Sequence, residues 1–153
     1  MNSFPDSRPQ AVAWLGYGGL LPFVMLTALL AVDVDGGAFF REALIGYGAV
    51  ILSFVGALHW GFAMVLSRLT APQRTEAFVW STVPALLAWP AIWLADSVAV
   101  PVLVCGFIAH YVQDLRLARR AELPAWYLPL RLQLSVVACA CLSVSLLLGQ
   151  VGR

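Results

Sequence analysis

The sequence predicts an all-α polytopic membrane protein, a bundle of five transmembrane helices in a single domain. Three observations carry that prediction. The chain of 153 residues is 61% hydrophobic and 11% charged, with a mean hydropathy of +0.86, whereas a soluble domain carries about 25% charged residues. Five apolar runs stand along it, most of them near the ~20 residues that a helix needs to cross the hydrocarbon core. None alternates polar and apolar residues with period two, and an open sheet edge cannot exist in lipid. This composition excludes a water-soluble globule, a nucleic-acid binder, a secreted disulfide scaffold and a disordered chain.

Residues 1–10 read as a cytoplasmic N-terminal tail and residues 11–151 as the membrane domain, with spans at about 11–32, 43–66, 77–95, 98–113 and 128–150. The first run, Ala11 to Val32, has no charge and is closed by Asp33, Asp35, Gly36 and Gly37. It is too long for the apolar core of a signal peptide and has only Arg8 ahead of it, so it reads as a retained helix. The second, Ala43 to Leu66, lies between Glu42 and Arg68 and is rich in small residues: Gly46, Gly48, Ala49, Ser53, Gly56, Ala57 and Gly61. Small residues let helix backbones approach where lipid supplies no hydrophobic drive, so this helix is expected at the centre of the bundle.

The third run, Ala77 to Ala95, contains Pro84 and Pro90, which predict a bent helix. The fourth is the shortest, with Pro101 in its first turn, and the fifth opens with Arg131 and Gln133. Gly-Tyr-Gly stands near the start of the first two runs, at 16–18 and 46–48, and reads as a close-packing signal. Cys105, Cys139 and Cys141 all lie in apolar runs and read as small core residues.

Charge placement sets the orientation. All nine basic residues are arginine, balanced by eight acidic ones, and arginine without lysine in an Ala/Val/Leu-rich chain suits a GC-rich bacterial genome. With five spans, Arg8, Arg68, Arg74, Arg116, Arg119, Arg120 and Arg131 fall on one side, and only Arg41 and Arg153 on the other. The positive-inside rule then places the N-terminus in the cytoplasm and the C-terminus outside, in a bacterial inner membrane. Trp14, Trp80, Trp126 and Tyr127 fall near the inner interface, and Phe39, Phe40, Tyr47 and Trp93 near the outer one, as an anchoring belt.

Ionisable residues within a span are where function is sought first. His59 and His110 sit in the same leaflet on the second and fourth runs. His110, Gln113 and Asp114 share a helix face, where Asp114 can fix the tautomer of His110 and pair with Arg131 across the last hairpin. The candidate ligand-binding set is therefore His59, Trp60, His110, Asp114 and Arg131. No metal or cofactor is expected, and no catalytic residue is assigned. The alternative is a haem or metal held between His59 and His110. No nucleophile triad, phosphate loop, dinucleotide fingerprint or zinc-protease motif is present, and with no acid expected to be buried the chain makes poor material for a proton pump.

Ser53-Phe54-Val55-Gly56-Ala57-Leu58-His59-Trp60-Gly61, together with Leu123-Pro124-Ala125-Trp126-Tyr127 and Leu130-Arg131, resembles the uncharacterised membrane family typified by mitochondrial transmembrane protein sixty-nine. The resemblance runs from the first Gly-Tyr-Gly to the fifth run. The family pattern has Gly where Ala57 stands, and some members have Arg where His59 stands, which counts against a haem ligand there. No activity is established for the family, so the resemblance implies topology only. Two functions follow as expectations: an accessory or assembly partner of a larger membrane complex, or a binder or carrier of a hydrophobic small molecule such as a lipid, quinone or porphyrin. The lipid bilayer is the one partner both require, and neither involves nucleic acid.

Overall fold

A computed structural model describes residues 8–32 and 36–151. The tail ahead of Arg8, the loop residues Asp33 and Asp35, and the C-terminal Arg153 lie outside the described residues. The chain is all-helical among the described residues, with α1 at Gln10–Gly18, α2 at Leu21–Ala31, α3 at Gly37–Val65, α4 at Ala71–Ala91, α5 at Asp96–Arg120 and α6 at Tyr127–Val151.

The first run is two helices where one was expected. Pro22 stands in the first turn of α2 and cannot donate to the Gly18 carbonyl, and Gly18-Gly19 gives the chain room to step. The Tyr47 hydroxyl donates to the neighbouring Gly19 carbonyl at 2.8 Å, which supplies a donor at the break within the membrane region. α3 begins earlier than its apolar run because Gly36, at φ 108°, takes the left-handed conformation that turns the chain into it. α4 also begins early, at a capping box in which Thr70 and Gln73 each accept from the other's backbone N–H. α5 reaches Arg120, well past the apolar run, because its last turns carry arginines that water and the helix dipole both favour.

α3 is central: it packs against α2, α4, α5 and α6, and most extensively against α4. Arg41 in the first turns of α3 meets Asp96 at the start of α5 at 3.5 Å, while His59 meets Asp114 toward their other ends at 3.0 Å. α3 and α5 therefore run parallel, and α4 returns between them. The apolar core is built from Phe23, Leu44, Leu52, Leu103, Phe107 and Leu142.

Among the described residues, four helical stretches are long and apolar enough to cross a membrane: Gln10–Ala31 taken together, Gly37–Val65, Asp96–Arg120 and Tyr127–Leu148. The expectation of five such stretches is corrected at α4. Its first two turns carry Gln73, Arg74, Thr75 and Glu76, and its prolines and tryptophans lower its hydropathy further. Two packing readings also narrow. The close-packing reading of Gly-Tyr-Gly holds for one glycine of each segment. A Cβ on Gly16 would meet Leu134, and one on Gly48 would meet Leu103 and Leu142, each at 3.4 Å, whereas one on Gly18 or Gly46 would meet nothing within 4 Å. Tyr17 donates to Gln133 at 2.6 Å. Cys105 is exposed on α5, Cys139 is half-buried and Cys141 is buried, all as free thiols.

Candidate functional site

Four of the five candidate residues, His59, His110, Asp114 and Arg131, converge where α3 and α5 end and α6 begins. Asp114 is fully buried on α5, which corrects the expectation of a bundle without a buried acid. An ionised carboxylate in such a place is costly unless its oxygens are paired. Here they are. His59 Nε2 of α3 donates to Asp114 Oδ1 at 3.0 Å, Tyr127 Oη of α6 donates to the same oxygen at 3.0 Å, and Arg131 Nε of α6 donates to Oδ2 at 3.0 Å. One carboxylate thus ties three helices together.

The Asp114–Arg131 contact expected from the sequence is present, and His59 and His110 do approach, with ring centroids 5.0 Å apart. The expected bond between His110 and Asp114 is not formed: His110 Nε2 stands 3.7 Å from Oδ1, and His59 occupies the direct position. Helix geometry explains the exchange. A residue at i+4 lies beside its partner on the same surface, whereas a facing helix can aim a side chain straight at it. Trp60 is separated from the cluster, half-exposed and in edge contact with Phe78 at 4.8 Å.

Two members escaped the sequence reading. Tyr127 and Trp80 read as interface anchors, yet Tyr127 is buried against Asp114 and the Trp80 indole donates to His110 Nδ1 at 3.2 Å. Tyr127 and Arg131 are four apart at the start of α6, a spacing that puts both on one face and could have flagged the pair. For Trp80 the sequence carried no such signal.

Nitrogen and oxygen atoms of His59, His110 and Asp114 lie within 4.8 Å of one another, the crowding a metal ion needs. The proton pattern opposes one. Indole N–H is only a donor, so His110 Nδ1 must accept and the neutral ring carries its proton on Nε2, the nitrogen that a metal would require free. Arg131 adds a positive charge on the other oxygen of Asp114. A porphyrin fares no better, because imidazoles 5.0 Å apart beside the same carboxylate oxygen leave no gap for a macrocycle between them. The arrangement is an anion held by three donors, two on one oxygen and one on the other. The recess beside it, lined by His59, Gln73, Glu76 and Gln113, has a volume of about 20 Å³, room for roughly one water.

The difference between the two neighbours His59 and Trp60 is measurable. His59→Ala is expected to lower the thermal midpoint in detergent by about 5–10 °C, since it leaves buried Asp114 short of a donor. Trp60→Ala is expected to lower it by only a few degrees. Equal falls would mean that the His59 bond contributes nothing beyond packing.

Comparison with known proteins agrees with this picture of a helical membrane protein. The model of the family described as "Protein of unknown function (DUF3429)" matches residues 8–147. "Transmembrane protein 69" of Xenopus tropicalis is 39% identical over 150 residues, covering 94% of this chain and 56% of that protein. "Transmembrane protein 69" of Mus musculus is 26% identical over 145 residues, covering 94% of this chain and 58% of that protein. The chain thus spans a little over half the length of these curated relatives. No solved structure matches it. With the family model covering nearly the whole chain, and a relative this similar along nearly all of it, the protein belongs to the DUF3429 family of transmembrane proteins.

Proposed function

We propose that this protein is a non-enzymatic structural or accessory component of a larger assembly in a bacterial inner membrane. The observation that carries the reading is the pairing of the buried carboxylate of Asp114. Both oxygens of Asp114 are taken by donors from α3 and α6, and the adjoining recess has room for about one water. A carrier that took its polar contacts from the Asp114 cluster would need a cavity of about 300 Å³ or more beside that cluster. The cluster is read instead as a lock that holds α3, α5 and α6 in register, which leaves the outer surfaces of the bundle to act.

The topology that goes with this function has five crossings, with α4 as the third. Its support is the parallel course of α3 and α5, since a chain that crosses twice in the same direction must return between the two. The arginines gathered where α3 and α5 end argue that this end faces the cytoplasm, with the N-terminus beside it. A reporter active only in the cytoplasm is expected to work at the N-terminus and fail at the C-terminus. Activity at both ends would mean that α4 or another segment does not cross.

The functional reading is tested on protein extracted with its surrounding lipid in native nanodiscs. The expected result is a particle containing further protein chains in fixed stoichiometry, with no Soret absorption and no quinone in the organic extract. A lone chain accompanied by a stoichiometric pigment or quinone would overturn the accessory reading in favour of a carrier.

A further inference from the structure

We propose that the recess between the α3–α4 and α5–α6 connections is a binding site for the phosphodiester headgroup of an anionic phospholipid. It is separate from the Asp114 cluster and is the larger of the two recesses described, with a volume of about 390 Å³. Its walls divide in two. Arg68, Arg119 and Arg120 supply positive charge against the single carboxylate of Glu122, while Leu123, Pro124 and Leu128 supply an apolar side. A free inorganic anion has no use for the apolar half. A phospholipid presents a phosphate joined to a glycerol and acyl chains, so it matches both halves at once.

The charges are available. Arg68 is paired with Glu122, but both side chains are mostly exposed, at 65% and 73%, and such a pair is weak enough to exchange for a phosphate. Arg120 leans on Glu76 at 2.5 Å. Arg119 has no carboxylate partner among the described residues and lies exposed at the end of α5. The first turn of α6, through Leu128, brings the positive end of a 25-residue helix to the same recess. Depth agrees as well: the recess lies where α5 ends and α6 begins, at the ends of two helices long and apolar enough to cross a membrane. Headgroups lie at that level whichever way the protein is oriented, so the site does not depend on the orientation or on the accessory role.

The test uses the full chain purified in detergent. Phosphatidylglycerol, phosphatidylcholine, glycerol phosphate and inorganic phosphate are added separately, and bound lipid is read by native mass spectrometry alongside the thermal midpoint. Phosphatidylglycerol is expected to be retained and to raise the midpoint, and the other three to do neither. Arg119→Gln should weaken retention about five-fold, and adding Arg68→Gln should weaken it further. Arg8→Gln removes one positive charge at the same end of the bundle but outside the recess, and should leave retention unchanged. Unaltered midpoints without lipid are expected for all three variants, because these arginines are exposed. Equal loss in the Arg8 and Arg119 variants would reduce the effect to general attraction and overturn the site. Equal stabilisation by inorganic phosphate or glycerol phosphate would overturn the lipid as its source.

Discussion

Asp114→Ala is expected to destabilise the detergent-solubilised protein by about 3–5 kcal/mol, far more than the 0–1 kcal/mol of an exposed ion pair. The change removes the acceptor shared by His59, Tyr127 and Arg131, and it leaves a guanidinium buried without its counter-charge. Asp114→Asn should cost less, because an amide oxygen still accepts from two of the donors. Combining Asp114→Asn with Arg131→Gln should then cost less than the sum of the singles, since neither partner remains charged. The measurement is equilibrium or thermal unfolding of the four proteins of the cycle. Strict additivity would show that the two side chains do not interact, and the lock between α5 and α6 would have to be sought elsewhere.

The second large effect is expected at Gly56, in the contact between α3 and α4. A Cβ added there would stand 2.8 Å from both Cβ and Cγ of Pro84. The proline ring is tied to its own backbone at two atoms and cannot swing aside, so the two helices must part. Gly56→Ala is therefore expected to cost about 1–3 kcal/mol, and Gly56→Leu more. Gly106→Ala makes a useful contrast. Its Cβ would meet Leu52 Cδ2 at 2.5 Å, but that atom is the end of a rotatable side chain and can move, so a smaller loss is expected. Gly46 and Gly61 have nothing within 4 Å, and alanine there should be neutral or stabilising. If Gly56→Ala unfolds no more readily than Gly61→Ala, α4 does not rest on α3 through this pair.

These two predictions also divide what was legible in the residues from what was not. Gly56 stood out by composition, as a small residue amid others on a lipid-soluble helix, and the centrality of α3 follows from it. That Pro84 would be the group facing it was not legible, because prolines in a span predict a bend and carry no information about the neighbour. His59 and His110 stood out because an ionisable group inside a span is costly, Asp114 by its i+4 spacing from His110, and Arg131 as the opening of the fifth run. Two of these, His59 and Arg131, do meet directly on Asp114. Trp60 stood out only as part of the distinctive Ser53–Gly61 segment that also holds His59. On a helix, consecutive side chains diverge by about 100°, so His59 turns inward while Trp60 turns toward Phe78.

By itself the sequence determined the class of the protein and the approximate place of its helices. It also determined which ends carry the arginines, and that Asp114 lay within reach of Arg131. Those properties depend on solvation and on periodicity along one segment, and both are written locally. The tertiary structure decided the rest, above all the choice of His59 over His110 as donor to Asp114. It also recruited Tyr127 and Trp80 from the interface to the interior. Each of these depends on which side chain of one helix faces which atom of another. That pairing is set by the packing of α3 against its four neighbours, and no periodicity within a single segment encodes it.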